Sequence, residues 1–174
     1  MKHLFDSLEN SGLNHLTIFI GYDPKEDICA KILAHTIRSF DTKIKYKIIP
    51  LIYNHLYAYG YTNRKLDLRG STEFTMTRFL SAPLVNLYHD LRRQTDYPRL
   101  ALFLDCDMMF TRSVSVCKHD YTSSFLSKMG GTNQDSYPKK NWSSVSLWNC
   151  NNEKTSKLTL DWANVNEPSY LHRF

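Results

Sequence analysis

Two carboxylates one residue apart, Asp105 and Asp107, close the apolar run Leu100-Ala101-Leu102-Phe103-Leu104. Desolvating paired negative charge is costly, so two acids ending a buried segment call for a cation nearby. Side chains two apart on a strand face the same side, with Cα atoms roughly 6–7 Å apart. Such a pair can hold one divalent ion through both acids, or through one directly and one by way of water, with oxygen ligands at about 2.0–2.2 Å for a small metal. Solvated acids in a strand-end turn are the plainer alternative. Arg78 lies 27 residues before Asp105 and on composition alone is one more solvated arginine. His119 has the chemistry of a ligand or base, although a histidine at a strand end is more often structural. Lys139-Lys140-Asn141-Trp142-Ser143-Ser144 gathers two ammonium groups, an amide and two hydroxyls, groups that suit phosphate and sugar oxygens; as a bare motif this is weak.

The elements that must position these groups are legible in the hydrophobic pattern. Leu16–Ile20 is a short β-branched and aromatic run and reads as a strand. It ends in Gly21-Tyr22-Asp23-Pro24, where Asp23 suits a helix cap, Pro24 the first helical position and Glu26 the third residue after the cap. Ile28, Ile32, Leu33, Ile37 and Phe40 then recur at helical spacing. Strand, tight turn and helix in that order open a nucleotide-binding α/β fold, but the turn has no G-x-G-x-x-G and so no dinucleotide fingerprint. A second strand is expected over 44–51. The tyrosine-rich stretch 52–72 is expected as a surface excursion whose rings pack under a loop more readily than they stack on a base or sugar. A helix begins near Thr72, with Pro83 kinking or restarting it. The apolar run at 100–104 has the length and composition of a buried parallel strand, and ligands in open α/β sheets sit beyond the carboxyl ends of such strands. Further strands are expected at 114–118 and 145–149, a short helix over 122–131, and a last helix with Leu158, Trp162 and Val165 on one face, broken at Glu167-Pro168.

A chain of 174 residues, 42% hydrophobic, is one domain with enough apolar material for a core. Residues 1–15 read as a flexible leader and 16–174 as the domain. No run of 18 apolar residues is present, so no transmembrane helix is expected. The N-terminal stretch is mixed polar, without the apolar block of a secretory signal. Cys29, Cys106, Cys117 and Cys150 form no C-x-x-C pair, which argues against a zinc or redox motif and for reduced thiols in the cytoplasm. The net charge of +5 suits an anionic partner, and a phosphate-bearing small molecule satisfies it as well as nucleic acid does. The basic residues are scattered, without a basic helix or an RNA-binding aromatic signature, so no nucleic-acid partner is expected.

Several stretches together resemble the GT-A glycosyltransferases, especially the retaining family that includes glycogenin and bacterial α-galactosyltransferases, with the nearest likeness to small uncharacterised bacterial and phage members. They are Ile-Phe-Ile-Gly-Tyr-Asp at 18–23, Ser-Thr-Glu-Phe and Thr-Arg-Phe within 71–79, and Leu-Phe-Leu-Asp-Cys-Asp-Met at 102–108. Lys-His-Asp-Tyr at 118–121 and Tyr-Pro-Lys-Lys-Asn-Trp-Ser-Ser-Val at 137–145 complete the set. The resemblance implies a GT-A-like (Rossmann-like), mostly parallel sheet flanked by helices in one α/β domain. It implies that Asp105 and Asp107 hold Mn2+ or Mg2+ on the donor diphosphate, and that Arg78 reaches the donor sugar or the acid pair. Gly21, Tyr22 and Asp23 would surround the base and ribose, and Asn141, Ser143 and Ser144 would line the sugar site beside Lys139. Arg78 and Asp107 are then the expected catalytic residues. The segment after the acid pair is shorter than the family's, and the late histidine that completes the family's metal site has no counterpart; His172 does not sit in that pattern. The chain is therefore expected to be a C-terminally shortened member.

The reading that follows is metal-dependent transfer of a sugar, a hexose by family likeness, from a nucleotide-diphosphate sugar, UDP-sugar favoured, to an acceptor that the sequence does not identify. One alternative is a non-catalytic binder of nucleotide sugar or glycan. Another is a phosphotransferase of the haloacid dehalogenase type, in which Asp105 would be the nucleophile and Asp107 the acid/base. Against it, that pair normally lies near the N-terminus with Thr or Val two residues on, where this chain has Met109.

Overall fold

The structure is a computed structural model and describes residues 16–40, 46–66, 72–92, 99–111 and 144–171. The expected leader, the strand at 114–118, the helix over 122–131, and the residues His119, Lys139, Lys140, Asn141, Ser143 and His172 lie outside the described residues.

The described chain folds as a four-stranded sheet of order β2-β1-β3-β4. β1 (Leu16–Gly21) pairs in parallel with β2 (Tyr46–Leu51) on one side and with β3 (Leu100–Leu104) on the other, and β4 (Val145–Asn149) runs antiparallel against β3. β1 and β3 are buried at every position, which is why neither alternates polar with apolar residues. Phe19 sits beside Phe103 and Ile18 beside Leu102 in the register, and these four side chains are the centre of the core. Helices flank the sheet: α1 (Asp27–Ser39), the short α2 (Tyr53–Ala58) and α3 (Phe74–Thr77), and α4 (Ser81–Arg92). After β4 come α5 (Glu153–Ser156), α6 (Leu160–Val165) and α7 (Pro168–Leu171). Among the described residues no helix is long and apolar enough to cross a membrane.

Three local expectations are corrected. The segment from Pro24 opens as a 3-10 turn, Pro24–Glu26, capped by Asp23 through the amide of Lys25, and α1 begins only at Asp27. In α1 the face turned to the sheet carries Ala30, Leu33 and Ile37, spaced three and four apart, whereas Ile28 and Ile32 are 69% and 48% exposed. The two isoleucines lie well round the helix from Leu33, so membership of a loose apolar stripe did not bury them. In α6 the buried residue is Ala163 and Val165 is 72% exposed, because the helix is only six residues long and its last turn leaves the core. By contrast Pro83 does mark a restart: α3 passes through a 3-10 turn, Arg78–Leu80, into α4, with the proline in the first turn where its missing amide costs nothing. Tyr61 is buried as expected for ring packing, while Tyr57 and Tyr59 stay largely exposed.

Gly21 ends β1 where only a hydrogen fits. A Cβ there would stand 2.7 Å from Cγ and Cδ2 of Phe74 and 3.0 Å from Cζ of Phe103. Cγ lies on the axis of ring rotation, so a ring flip does not relieve the clash, and Phe74 is buried. Gly21→Ala is therefore expected to cost about 1–3 kcal/mol of stability by overpacking, read as a lowered denaturant midpoint at unchanged slope. Burial also pushes the Cys150 thiol up to about 12. At pH 8 this thiol is almost wholly protonated in the folded protein, so alkylation of the native chain should spare Cys150, which becomes reactive only on unfolding.

Candidate functional site

The chain leaves β1 for β2 on one side of it and later returns to form β3 on the other side. The carboxyl ends of β1 and β3 thus diverge at the topological switch point of the sheet, where open α/β folds form their ligand crevice. The loop Tyr22-Asp23 follows β1 and the turn Asp105-Cys106-Asp107 follows β3, so the sequence's candidates from both segments meet at this edge.

Arg78 is the centre of the arrangement. Its Nη2 lies 3.2 Å from Oδ1 of Asp105, both side chains being 12% exposed. Its guanidinium carbon is 5.7 Å from the ring centroid of Phe74 and 5.5 Å from that of Phe103, so two aromatic rings brace the cation. Nε donates to the carbonyl of Phe74 at 3.4 Å, one helical turn back. Burial pulls the guanidinium's pKa down, and the charges of Asp105 and Asp107 push it back up. Asp105 is buried, and desolvation raises its carboxyl above the usual range; Arg78 and a hydrogen bond from the Ser144 side chain oppose that shift, while Asp107 and Glu26 add to it. The backbone amide of Asp105 donates to the Ser144 carbonyl at 2.9 Å, extending the β3–β4 ladder by one residue.

The two acids do not share an environment. The strand ends at Leu104, so the alternation that would point both to one side does not continue through 105–107. Asp105 turns inward to Arg78; Asp107 is exposed and has no ion-pair partner among the described residues. Between them Cys106 is fully buried and its Sγ donates to Oε2 of Glu26 at 2.8 Å. Among the described residues no three His, Cys, Asp or Glu side chains converge as a ready-made metal cage. What the turn offers a hard cation is one outward carboxylate, Asp107, with the pinned Asp105 behind it.

The first loop is braced rather than open. Asp23 is buried, with Oδ1 accepting from the Lys25 amide at 2.9 Å and Oδ2 accepting from the Glu73 amide at 3.0 Å. It therefore ties the β1 loop to the start of α3, the helix that leads into Arg78. The Tyr22 hydroxyl donates to Asp27 at 3.1 Å, and Asp27 in turn pairs with Lys31. A cavity of only about 20 Å3, room for a water molecule, lies on the far side of Glu73, lined by Tyr53, Arg64, Lys65, Thr72, Glu73 and Thr77 among others. The structure thus brings together Gly21, Tyr22, Asp23, Arg78, Asp105, Asp107 and Ser144. Sequence reasoning missed three participants. Phe74 was readable, since it stands four residues before Arg78 in a helical segment. Glu26 reads from the sequence as part of a helix cap, and its partner lies 80 residues away in sequence. Phe103 reads from the sequence only as strand core.

Truncating Arg78 leaves a buried carboxylate uncompensated. Arg78→Met is expected to destabilise the fold by about 3–5 kcal/mol. Adding Asp105→Asn to it should restore a large part, and a denaturation double-mutant cycle measures the coupling. Additive losses would show that the pair carries no interaction of its own.

No family model matches the chain. Among curated proteins it is 34% identical over 170 residues to Protein CDI of Arabidopsis thaliana, an alignment covering 90% of this chain and 61% of that relative. The chain thus spans less than two thirds of the length of the curated protein it matches. Among solved structures it resembles an active-site mutant of LgtC with a TM-score of 0.53 and 13% identity, over 89% of this chain and 68% of the other. LgtC is a GT-A glycosyltransferase. At that identity the likeness is one of architecture, and the described chain has a mixed α/β fold similar to the GT-A fold.

Proposed function

We propose that the chain binds a nucleotide-diphosphate sugar, UDP-sugar favoured, and transfers its sugar, a hexose, to an acceptor with the help of Mn2+ or Mg2+. The observation that carries this reading is the braced Arg78–Asp105 pair at the switch point, with the exposed carboxylate of Asp107 two residues on. Asp107 and, behind it, Asp105 would hold the divalent ion. When bound, such an ion supplies Lewis-acid stabilisation of the charge that builds on the diphosphate leaving group.

The chain's own residues account for the rest. Arg78 is a fixed cation in a desolvated setting, which strengthens its pull on developing negative charge and avoids reorganisation during the reaction. Asp105 and the two rings set its direction. The Ser144 hydroxyl orients Asp105 and stands beside the same crevice. Gly21 and Tyr22 shape the wall for base and ribose. Asp23 would contribute loop geometry instead of a direct contact, because both its carboxylate oxygens already accept backbone amides. Lys139, Asn141 and Ser143 belong to this proposal as further donor contacts by family likeness alone.

The test is release of nucleoside diphosphate from a panel of nucleotide sugars with Mn2+ present. Asp107→Ala, an exposed position, should fold normally and lower the rate on the order of 10²–10³-fold. Equal rates in the two proteins would remove the proposal. Donor stabilisation of the folded state, seen as a raised melting temperature only when Mn2+ is added, is the companion expectation. That stabilisation without turnover across an acceptor screen would favour a binding module instead.

A further inference from the structure

Asp107 faces outward because of what its neighbours do. Beyond β3 the chain from Asp105 to Phe110 is irregular and is tied at both ends. At the start, the Asp105 amide donates to the Ser144 carbonyl at 2.9 Å and the Asp105 carboxylate pairs with Arg78 at 3.2 Å. At the far end, the Phe110 amide donates to the Thr36 hydroxyl of α1 at 3.2 Å. Between them Cys106 is fully buried, its thiol donating to Oε2 of Glu26 at 2.8 Å. Met108 is half-buried and packs against the core. Asp107 thus stands between two inward-directed side chains and is itself exposed.

Glu26 is a fixed post for this turn. It is the last residue of the 3-10 turn Pro24–Glu26, and its amide donates to the Asp23 carbonyl at 2.9 Å. Asp23 is buried, with both carboxylate oxygens on backbone amides, so the backbone that carries Glu26 is held within its own loop. The Glu26 side chain is half-buried, and a carboxylate acceptor makes a stronger tie than a neutral one. We propose that Glu26 is a positioning residue: by holding Cys106 inward it aims the Asp107 carboxylate outward, ready for a divalent cation. For that cation the inference rests on the nucleotide-sugar reading above; the fixing of the turn does not depend on it. Glu26 is not itself a ligand here, since its Oε2 is turned to the thiol. It acts as outer-shell groups do in metal sites, setting the direction of a ligand before the ion arrives.

Two measurements test this on the purified chain. Relaxation of the 15N nuclei without ligand gives the order of the Asp107 amide, and the electron paramagnetic resonance of free Mn2+ in the presence of UDP gives the cation's affinity. In the unaltered chain Asp107 should be ordered like the strands, with an order parameter of about 0.85. Glu26→Ala should lower this toward about 0.6 and weaken Mn2+ binding about tenfold. Glu26→Gln keeps an acceptor of the same shape and should hold both quantities near their original values. Cys106→Ala removes the same hydrogen bond from the other end and should reproduce the losses, which keeps the test open if Glu26→Ala does not fold. A purely structural Glu26 would lower the melting temperature on replacement by alanine and move neither the Asp107 order nor the Mn2+ affinity; that result overturns the proposal, as does a glutamine variant no better than the alanine one. An unaltered chain that takes up no Mn2+ with UDP overturns the nucleotide-sugar reading instead, and the order of Asp107 in the variants still decides whether Glu26 fixes the turn.

Discussion

The described structure depends on one buried charge being neutralised in place. Asp105 ends a strand with no exposed residue, and desolvation there drives its carboxyl toward the protonated form. Arg78 is what allows a carboxylate to remain there, and Arg78 is itself desolvated and held between Phe74 and Phe103. A buried ion pair of this kind is rarely the most stabilising choice for a core; matched hydrophobic residues often do as well or better. It stands at the carboxyl ends of the central strands, the edge at which open α/β sheets bind ligands. The same geometry explains Gly21, whose missing side chain leaves room for the Phe74 ring that supports the cation.

Architecture was largely legible from residue patterns. The β-branched and aromatic run at 16–20 reads as a strand and the apolar run at 100–104 as a buried parallel strand, and they are the two central strands. The run at 145–149 also forms a strand, but its antiparallel direction is fixed by long-range pairing with β3 and leaves no local signature. The register of helix faces was less legible. Ile28 and Ile32 are as hydrophobic as the residues that do meet the sheet, and only the geometry of packing against β1 decides which stripe is buried. Short helices such as α6 are ambiguous for a related reason, since one turn too few leaves an apolar residue outside.

At the candidate site the motif gave the residues and the structure gave their division of labour. Spacing alone treats Asp105 and Asp107 as equivalent, whereas one is an internal counter-ion and the other faces outward. Asp23, which family likeness places near the donor, has both oxygens committed to amides of Lys25 and Glu73. Such roles depend on partners 50 or 80 residues away and are invisible to any reading of neighbouring positions.

The Asp23–Glu73 and Glu26–Cys106 links tie the segment after β1 to two distant parts of the chain. The first reaches the start of the helix leading into Arg78, the second the acid turn itself. The mouth of the sheet is in this sense laced shut before any ligand arrives. These two links order the β1 loop in folding itself, so any molecule meeting that loop would not bear the entropy of ordering it.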